Sequence, residues 1–334
     1  MASIRVLSKA DVDQVLRQGD VAAAREIVTL MSDTFRSYTL GHETSNNFHA
    51  QAPQRIAVNT ESHKVLFMPS RLNETTSVKI VSVPTKDGKG GLPATVMVLD
   101  EATGSVDTVM NGAALTAVRT AAGSGLATQY YTKEDVKHLV VLGAGAQGRA
   151  HIDMMIAVRP SLEHIAIWNR GQERRDQLIE EMRTAYPTRT VVAADDLEKY
   201  VREADIICTC TNASEPVLRG AWLRNSVHLN CVGSYRLDMH EVDAQVITRC
   251  DKILVDSIEA CKAEAGELVK SSKPEDWTEM GQVVKDSHLQ SESQQFQGKI
   301  TLFKSVGISV QDSAIAGLIA ERAKEANLGS IIPF

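Results

Sequence analysis

The sequence predicts an α/β protein of two parts: a doubly wound domain around a mainly parallel sheet, and a second domain of α+β type. Three observations carry that expectation. From residue 132 to about 300, strand-like and helix-like segments alternate, the signature of a parallel sheet covered on both faces. A glycine-rich turn, Gly143-Ala144-Gly145-Ala146-Gln147-Gly148, opens that stretch. Before it, from about 53 to 110, the texture is one of short strands broken by turn residues. A chain of 334 residues has room for two domains at roughly 100–200 residues each.

Taken in order, residues 8 to 41 read as helical. Ser8-Lys9-Ala10-Asp11 has the form of a capping box ahead of Val12, Val15 and Leu16, and a second helix runs from Asp20 to about Tyr38. Val65–Pro69 and Val78–Val83 read as strands, with a turn at Asp87-Gly88-Lys89-Gly90-Gly91. Ala94–Leu99 turns back at Glu101-Ala102-Thr103-Gly104 into Ser105–Met110. In the alternating half the strand candidates are His138–Leu142, Ile165–Trp168, Val191–Ala193, Ile206–Cys210, Val227–Val232 and Ile253–Val255. Val310–Ala326 closes the chain as an amphipathic helix ending at Asn327-Leu328-Gly329.

Composition narrows the function. Lys and Arg number 36 against 42 Asp and Glu, a net charge of -6. That balance argues against nucleic acid or an anionic membrane as the main partner. No apolar run approaches the roughly 18 residues of a membrane span. The start, Met1-Ala2-Ser3-Ile4-Arg5, lacks the apolar core of a secretory signal. The five cysteines are an odd set in apolar segments and read as reduced thiols, so a cytoplasmic location is expected. Cys208-Thr209-Cys210 reads as packed core, and no metal is expected.

Val136–Leu142 leads directly into Gly143–Gly148 and then into a helix near Arg149. A glycine pattern in that strand-turn-helix setting is a dinucleotide fingerprint of the Rossmann type. Gly143 allows the tight turn, Gly145 the close approach of a pyrophosphate, and Gly148 the packing of helix on strand. The end of the second strand sets the cofactor. NAD enzymes usually carry a carboxylate there to accept from the ribose hydroxyls. This chain has Trp168-Asn169-Arg170, with Arg174 and Arg175 one turn on. Asn and Arg donate to a 2′-phosphate where a carboxylate would repel it, so NADPH is expected and NADH less so. The plainer alternative makes Asn169 a helix cap and the arginines solvated.

In the first half three cations stand out: Arg55 in Ala52–Ile56, Lys79 in an apolar strand, and Arg119 in the small-residue run Leu115–Ser124. Singly, each is more often a solvated or ion-paired side chain. Lys79 is the exception, because a lysine among valines and isoleucine costs desolvation unless an anion meets it. Together the three could hold one carboxylate.

These segments resemble the ornithine cyclodeaminase and mu-crystallin family over nearly the whole chain. The resemblance is carried by Pro53-Gln54-Arg55, Ser77–Val81, Arg119-Thr120-Ala121-Ala122, Gly143–Gly148, Cys231–Ser234, Val255-Asp256-Ser257 and Phe303–Gly307. It implies that Arg55, Lys79 and Arg119 clamp a substrate α-carboxylate beside Met68. It also makes Lys79 and Asp312 the catalytic pair, with Asp312 near the substrate nitrogen. A bland reading of Asp312 pairs it with Ser309 and the helix dipole. To Gly143, Gly145, Ala146, Gln147, Gly148, Asn169, Arg170 and Arg174, the resemblance adds Arg119, Thr120, Thr211, Asn212, Val232, Gly233 and Ser305 as cofactor contacts. Residues 128–305 would bind NADP(H). Residues 1–127 plus 306–334 would bind substrate and form a homodimer through their sheet.

One segment departs from the pattern. Cyclodeaminases that turn ornithine into proline carry an aspartate shortly after the Val-Gly pair. Here Tyr235 stands at that place, and Asp238 lies three positions later, closer to the mu-crystallin pattern. The implied activity is therefore reduction of a C=N bond alpha to a carboxylate. A cyclic ketimine such as pyrroline- or piperideine-2-carboxylate, or a 2-oxo acid with an amine, would be the substrate. An NAD-dependent cyclodeaminase and a non-catalytic NADPH-binding protein are the rival readings.

Overall fold

A computed structural model describes residues 3–43, 49–85 and 92–334. The turn expected at 87–91 lies outside the described residues. The chain separates into two compact units: Met1–Gln18, Asp33–Arg119 and Ile308–Phe334 form one, and Gly19–Ser32 with Thr120–Gly307 form the other.

The first unit is built on a mixed sheet. Its strands follow the order Ser330–Pro333, Ser3–Leu7, Val106–Asn111, Ala94–Leu99, Thr75–Pro84, His63–Leu72, Ala50–Gln51, with Ile56–Asn59 also pairing on His63–Leu72. All pairs are antiparallel except Ser3–Leu7 with Val106–Asn111. Alternation along Thr75–Pro84 turns Ser77, Lys79, Val81 and Val83 inward; on its neighbour Leu66, Met68, Ser70 and Leu72 do the same. Met68 lies opposite Lys79 in the register. The helix Ser309–Glu325 lies over these two strands. Its approach is close, since a Cβ on Gly317 would stand 2.6 Å from Thr75 Oγ1. Hydroxyls fasten the seam: Ser313 Oγ lies 2.6 Å from Ser70 Oγ and 2.8 Å from Ser77 Oγ. The capping box at Ser8 and Asp11 forms, opening the helix Lys9–Leu16. The strands Ser3–Leu7 and Ser330–Pro333, which pair with each other, were not expected.

In the second unit every strand pair is parallel. The order is Thr190–Ala193, His164–Trp168, His138–Leu142, Ile206–Thr209, Val227–Cys231, Ile300–Lys304, Lys252–Val255, Trp277–Glu279. The direction of progression reverses between His138–Leu142 and Ile206–Thr209, a topological switch point of a doubly wound sheet. The central strands are buried on both faces, with Leu142, Ile207, Leu229, Val255 and Leu302 in one apolar core. The strand expectations hold within a residue or so. Two strands went unanticipated: Ile300–Lys304, which inserts beside Val227–Cys231, and the short Trp277–Glu279. No helix among the described residues is long and apolar enough to cross a membrane.

Candidate functional site

The glycine-rich turn of the second unit needs its glycines for separate reasons. Gly143 has φ +112°, and a Cβ there would stand 2.5 Å from the Cys210 carbonyl oxygen. On Gly148 a Cβ would come within 1.9 Å of the Gly143 oxygen. On Gly145 it would meet nothing within 4 Å among the described residues. Gly145 is the N-cap of the helix Ala146–Val158 and offers no side chain to cap its first amides. Free amides at a helix start favour phosphate. Gln147 Oε1 is buried and has no hydrogen-bond partner among the described residues. An open ledge, uncapped amides and an unsatisfied carbonyl oxygen suit a bound dinucleotide.

At the end of the second strand, Asn169 Oδ1 accepts from the Ala144 amide at 3.1 Å and Nδ2 donates to the Gly171 carbonyl at 2.8 Å. Asn169 therefore braces the glycine turn, and Gly171, not Asn169, caps the helix Gln172–Ala185. Arg170 and Arg174 are exposed, whereas Arg175 is buried and ion-paired with Asp195 at 2.6 Å and Asp176 at 2.8 Å. Of the three arginines the sequence offered to a 2′-phosphate, Arg175 is spent on the fold.

Further along the same edge, Thr211 and Gly233 are half-buried, Asn212 is exposed and Val232 is buried. Ser305 donates its hydroxyl to Asp256 Oδ2 at 2.8 Å. Tyr235 packs on the apolar core, and Asp238 is held by Arg236 at 3.0 Å. Thr120 is buried one residue after Arg119, on the helix Ala113–Tyr131.

In the first unit, three of the expected residues converge. Lys79 Nζ is 2.7 Å from Asp312 Oδ2, and Arg119 Nε donates to Asp312 Oδ1 at 3.0 Å. All three side chains are nearly inaccessible, at 1%, 5% and 0% exposure. Asp312 thus binds two cations, not Ser309, whose hydroxyl donates to the Pro69 carbonyl at 3.1 Å. Gln311, which sequence reasoning missed, accepts from Arg119 Nη1 at 3.0 Å and fixes the guanidinium plane. Its signal was faint: a polar residue adjoining Asp312 at a helix start. Arg55 is half-buried between Gln51 and Ile56. Burial pushes the Lys79 ammonium down to about 8; Arg119 and Arg55 push the same way, and Asp312 offsets only part. Two buried cations, Lys79 and Arg119, against the one carboxylate of Asp312 leave an excess of positive charge in a dry place. Such an excess calls for an anion.

The fold and these two clusters define a dinucleotide-binding α/β protein with a buried cationic cluster on its other unit. The sequence model of the ornithine cyclodeaminase/mu-crystallin family matches residues 8–327, and the chain belongs to that family. It is 34% identical over 285 residues to a Delta(1)-pyrroline-2-carboxylate reductase of Bacillus cereus, covering 82% of this chain and 86% of that one. With the ketimine reductase mu-crystallin of Rattus norvegicus it shares 30% identity over 274 residues, 80% of this chain and 83% of that one. Among solved structures, the Thermococcus litoralis Delta(1)-pyrroline-2-carboxylate reductase in complex with NADH and L-proline superposes with a TM-score of 0.86. Its identity is 27%, and the match covers 98% of this chain and 99% of that one.

Proposed function

We propose that the protein is an NAD(P)H-dependent reductase of C=N bonds alpha to a carboxylate, acting on a cyclic ketimine acid or on the imine of a 2-oxo acid. The observation that carries this reading is the Lys79–Asp312–Arg119 cluster, whose surplus positive charge suits an α-carboxylate and whose lysine is poised to give up a proton. The pyrroline-2-carboxylate and ketimine reductases among its relatives support it.

Arg119 and Arg55 hold the carboxylate in this reading, with Met68 forming the apolar wall beside Lys79. A nicotinamide cofactor, when bound, would supply the hydride for the imine carbon. Lys79 Nζ donates the proton to the imine nitrogen and is left neutral, a state its burial already favours. Asp312 acts at the nitrogen by aiming Lys79, since its two oxygens hold Lys79 and Arg119. Gly143, Gly145, Ala146, Gln147 and Gly148 hold the pyrophosphate. Thr120, Thr211, Asn212, Val232, Gly233 and Ser305 would complete the cofactor site.

NADPH is preferred over NADH, because Asn169 replaces a carboxylate and the exposed Arg170 and Arg174 are available to a phosphate. Tyr235 stands where, by the family resemblance, ornithine cyclodeaminases carry an aspartate, which weighs against that activity. The nucleotide part is assigned to 128–305, and the substrate part to 1–127 plus 306–334. A homodimer through the first unit's sheet belongs to the same reading, supported by the exposed Ile56, Val58, Ile331 and Ile332 on its strands.

The test follows NADPH absorbance with pyrroline- and piperideine-2-carboxylate, 2-oxo acids with amines, and ornithine. Consumption with an imine acid is expected. No consumption with any of them, or proline from ornithine without net cofactor change, would reject the reductase.

A further inference from the structure

Glu241 is a fully buried carboxylate in the second unit, and four donors converge on it. Oε1 accepts from the Thr211 amide at 2.6 Å and the Thr211 hydroxyl at 2.8 Å. Oε2 accepts from the Thr209 hydroxyl at 2.7 Å and the Gly233 amide at 2.7 Å. These donors sit at the carboxyl ends of two neighbouring parallel strands, Ile206–Thr209 and Val227–Cys231. The Glu241 amide donates in turn to Glu267 Oε2 at 2.8 Å. Glu267 Oε1 receives Lys304 Nζ at 2.8 Å and the Ser234 hydroxyl at 2.6 Å.

The turns tied in this way are in mutual contact and reach the glycine turn. A Cβ on Gly233 would stand 2.0 Å from the Thr211 oxygen and 2.4 Å from Glu241 Oε1. The Cys210 amide donates to the Leu142 carbonyl at 2.7 Å, and a Cβ on Gly143 would stand 3.3 Å from the Thr211 nitrogen. Gly143, Thr211 and Gly233 therefore form one backbone ledge along the carboxyl edge of the sheet, where doubly wound proteins bind their ligands. In a doubly wound sheet the two halves flanking the switch point take the two halves of a dinucleotide. On the dinucleotide reading, His138–Leu142 and His164–Trp168, followed by Asn169, would take the adenine half, and Thr209–Thr211 with Cys231–Gly233 the nicotinamide half.

We propose that Glu241 is a positioning residue that holds the Thr211 and Gly233 turns in register as the nicotinamide side of the cofactor ledge, a role that rests on the dinucleotide reading above. It touches no reacting atom and acts through the two amides and two hydroxyls it gathers. A glutamine cannot replace it, because its amide group would set a donor against one of two backbone donors.

The test measures binding of NADPH and of 2′-phospho-ADP-ribose, which lacks the nicotinamide, by titration calorimetry on the full chain. In Glu241→Gln the Kd for NADPH is expected to rise roughly tenfold to a hundredfold, from one or two buried donors left unsatisfied. The Kd of the fragment should stay within about twofold, because the adenine-side residues are not ligands of Glu241. Should Glu241→Gln fail to fold, Thr209→Val, which removes a buried hydroxyl donor of Glu241 that is not itself a cofactor contact, is expected to show the same selective loss on a smaller scale. Equal weakening of both ligands, or weakening of neither, would overturn the proposal. Wild-type protein that binds neither ligand would overturn the dinucleotide reading and this one with it.

Discussion

Lys79 and Lys304 are both fully buried lysines, one in each unit, and both touch a carboxylate at close range: Asp312 at 2.7 Å and Glu267 at 2.8 Å. Their protons behave in opposite ways. Lys79 is pushed down to about 8 by burial, reinforced by Arg119 and Arg55, while its single carboxylate is shared with Arg119. Burial works against the charge of Lys304 too, but Glu267 and Glu241 more than offset it and raise its pKa. Lys304 also donates to the Ser234 carbonyl at 2.6 Å. Burial alone thus does not decide what a lysine does. Surplus positive charge loosens the proton on Lys79, and surplus negative charge makes Lys304 a fixed rivet of the backbone.

Three substitutions would break or sharpen that contrast. Lys79→Met is expected to lower kcat/KM for imine reduction roughly 10²–10⁴-fold, the usual worth of a positioned proton donor; steady-state kinetics at saturating cofactor reads it. Lys304→Met strands the buried Glu267 carboxylate and should cost about 3–5 kcal/mol of stability, seen as a lower urea midpoint with little change in m. Equal losses of turnover in the two variants at matched stability would erase the contrast. The smallest effect is expected at the rim. Arg170→Ala should weaken NADPH by about 1.5–3 kcal/mol, the worth of a hydrogen bond to a charged group, and leave NADH nearly unchanged. An equal effect on both cofactors would remove Arg170 from the 2′-phosphate.

The same two lysines show what was legible in the sequence. Lys79 announced itself, because an ammonium in a β-strand of valines and isoleucine has a local energetic cost visible without partners. Lys304 ends the equally apolar strand Ile300–Lys304, yet Glu267 lies on the helix Gly266–Ser271 and Glu241 on a separate loop, so no spacing rule joined them. Asp312 was legible only through family resemblance, since its bond to Arg119 spans 193 residues of chain. The glycine turn was readable because its strand-turn-helix setting is local in sequence: Gly143 takes a positive φ, and Gly148 closes on the Gly143 oxygen. Arg175 was misjudged for the reverse reason: its partner Asp195 comes 20 residues later, past the helix that turns it inward. The strands Ser3–Leu7 and Ser330–Pro333 are short and show no clean alternation of burial, so their pairing left no periodic trace.

The pH dependence of imine reduction tests the central claim about Lys79 most directly. A donor must be protonated to act, so kcat/KM, which reports the free enzyme, should hold below the Lys79 pKa of about 8 and fall above it. The falling limb should be present in wild type and in Lys304→Met, and absent from the residual activity of Lys79→Met. A limb that survives in Lys79→Met, or a wild-type profile that stays flat well above that pH, would contradict the account.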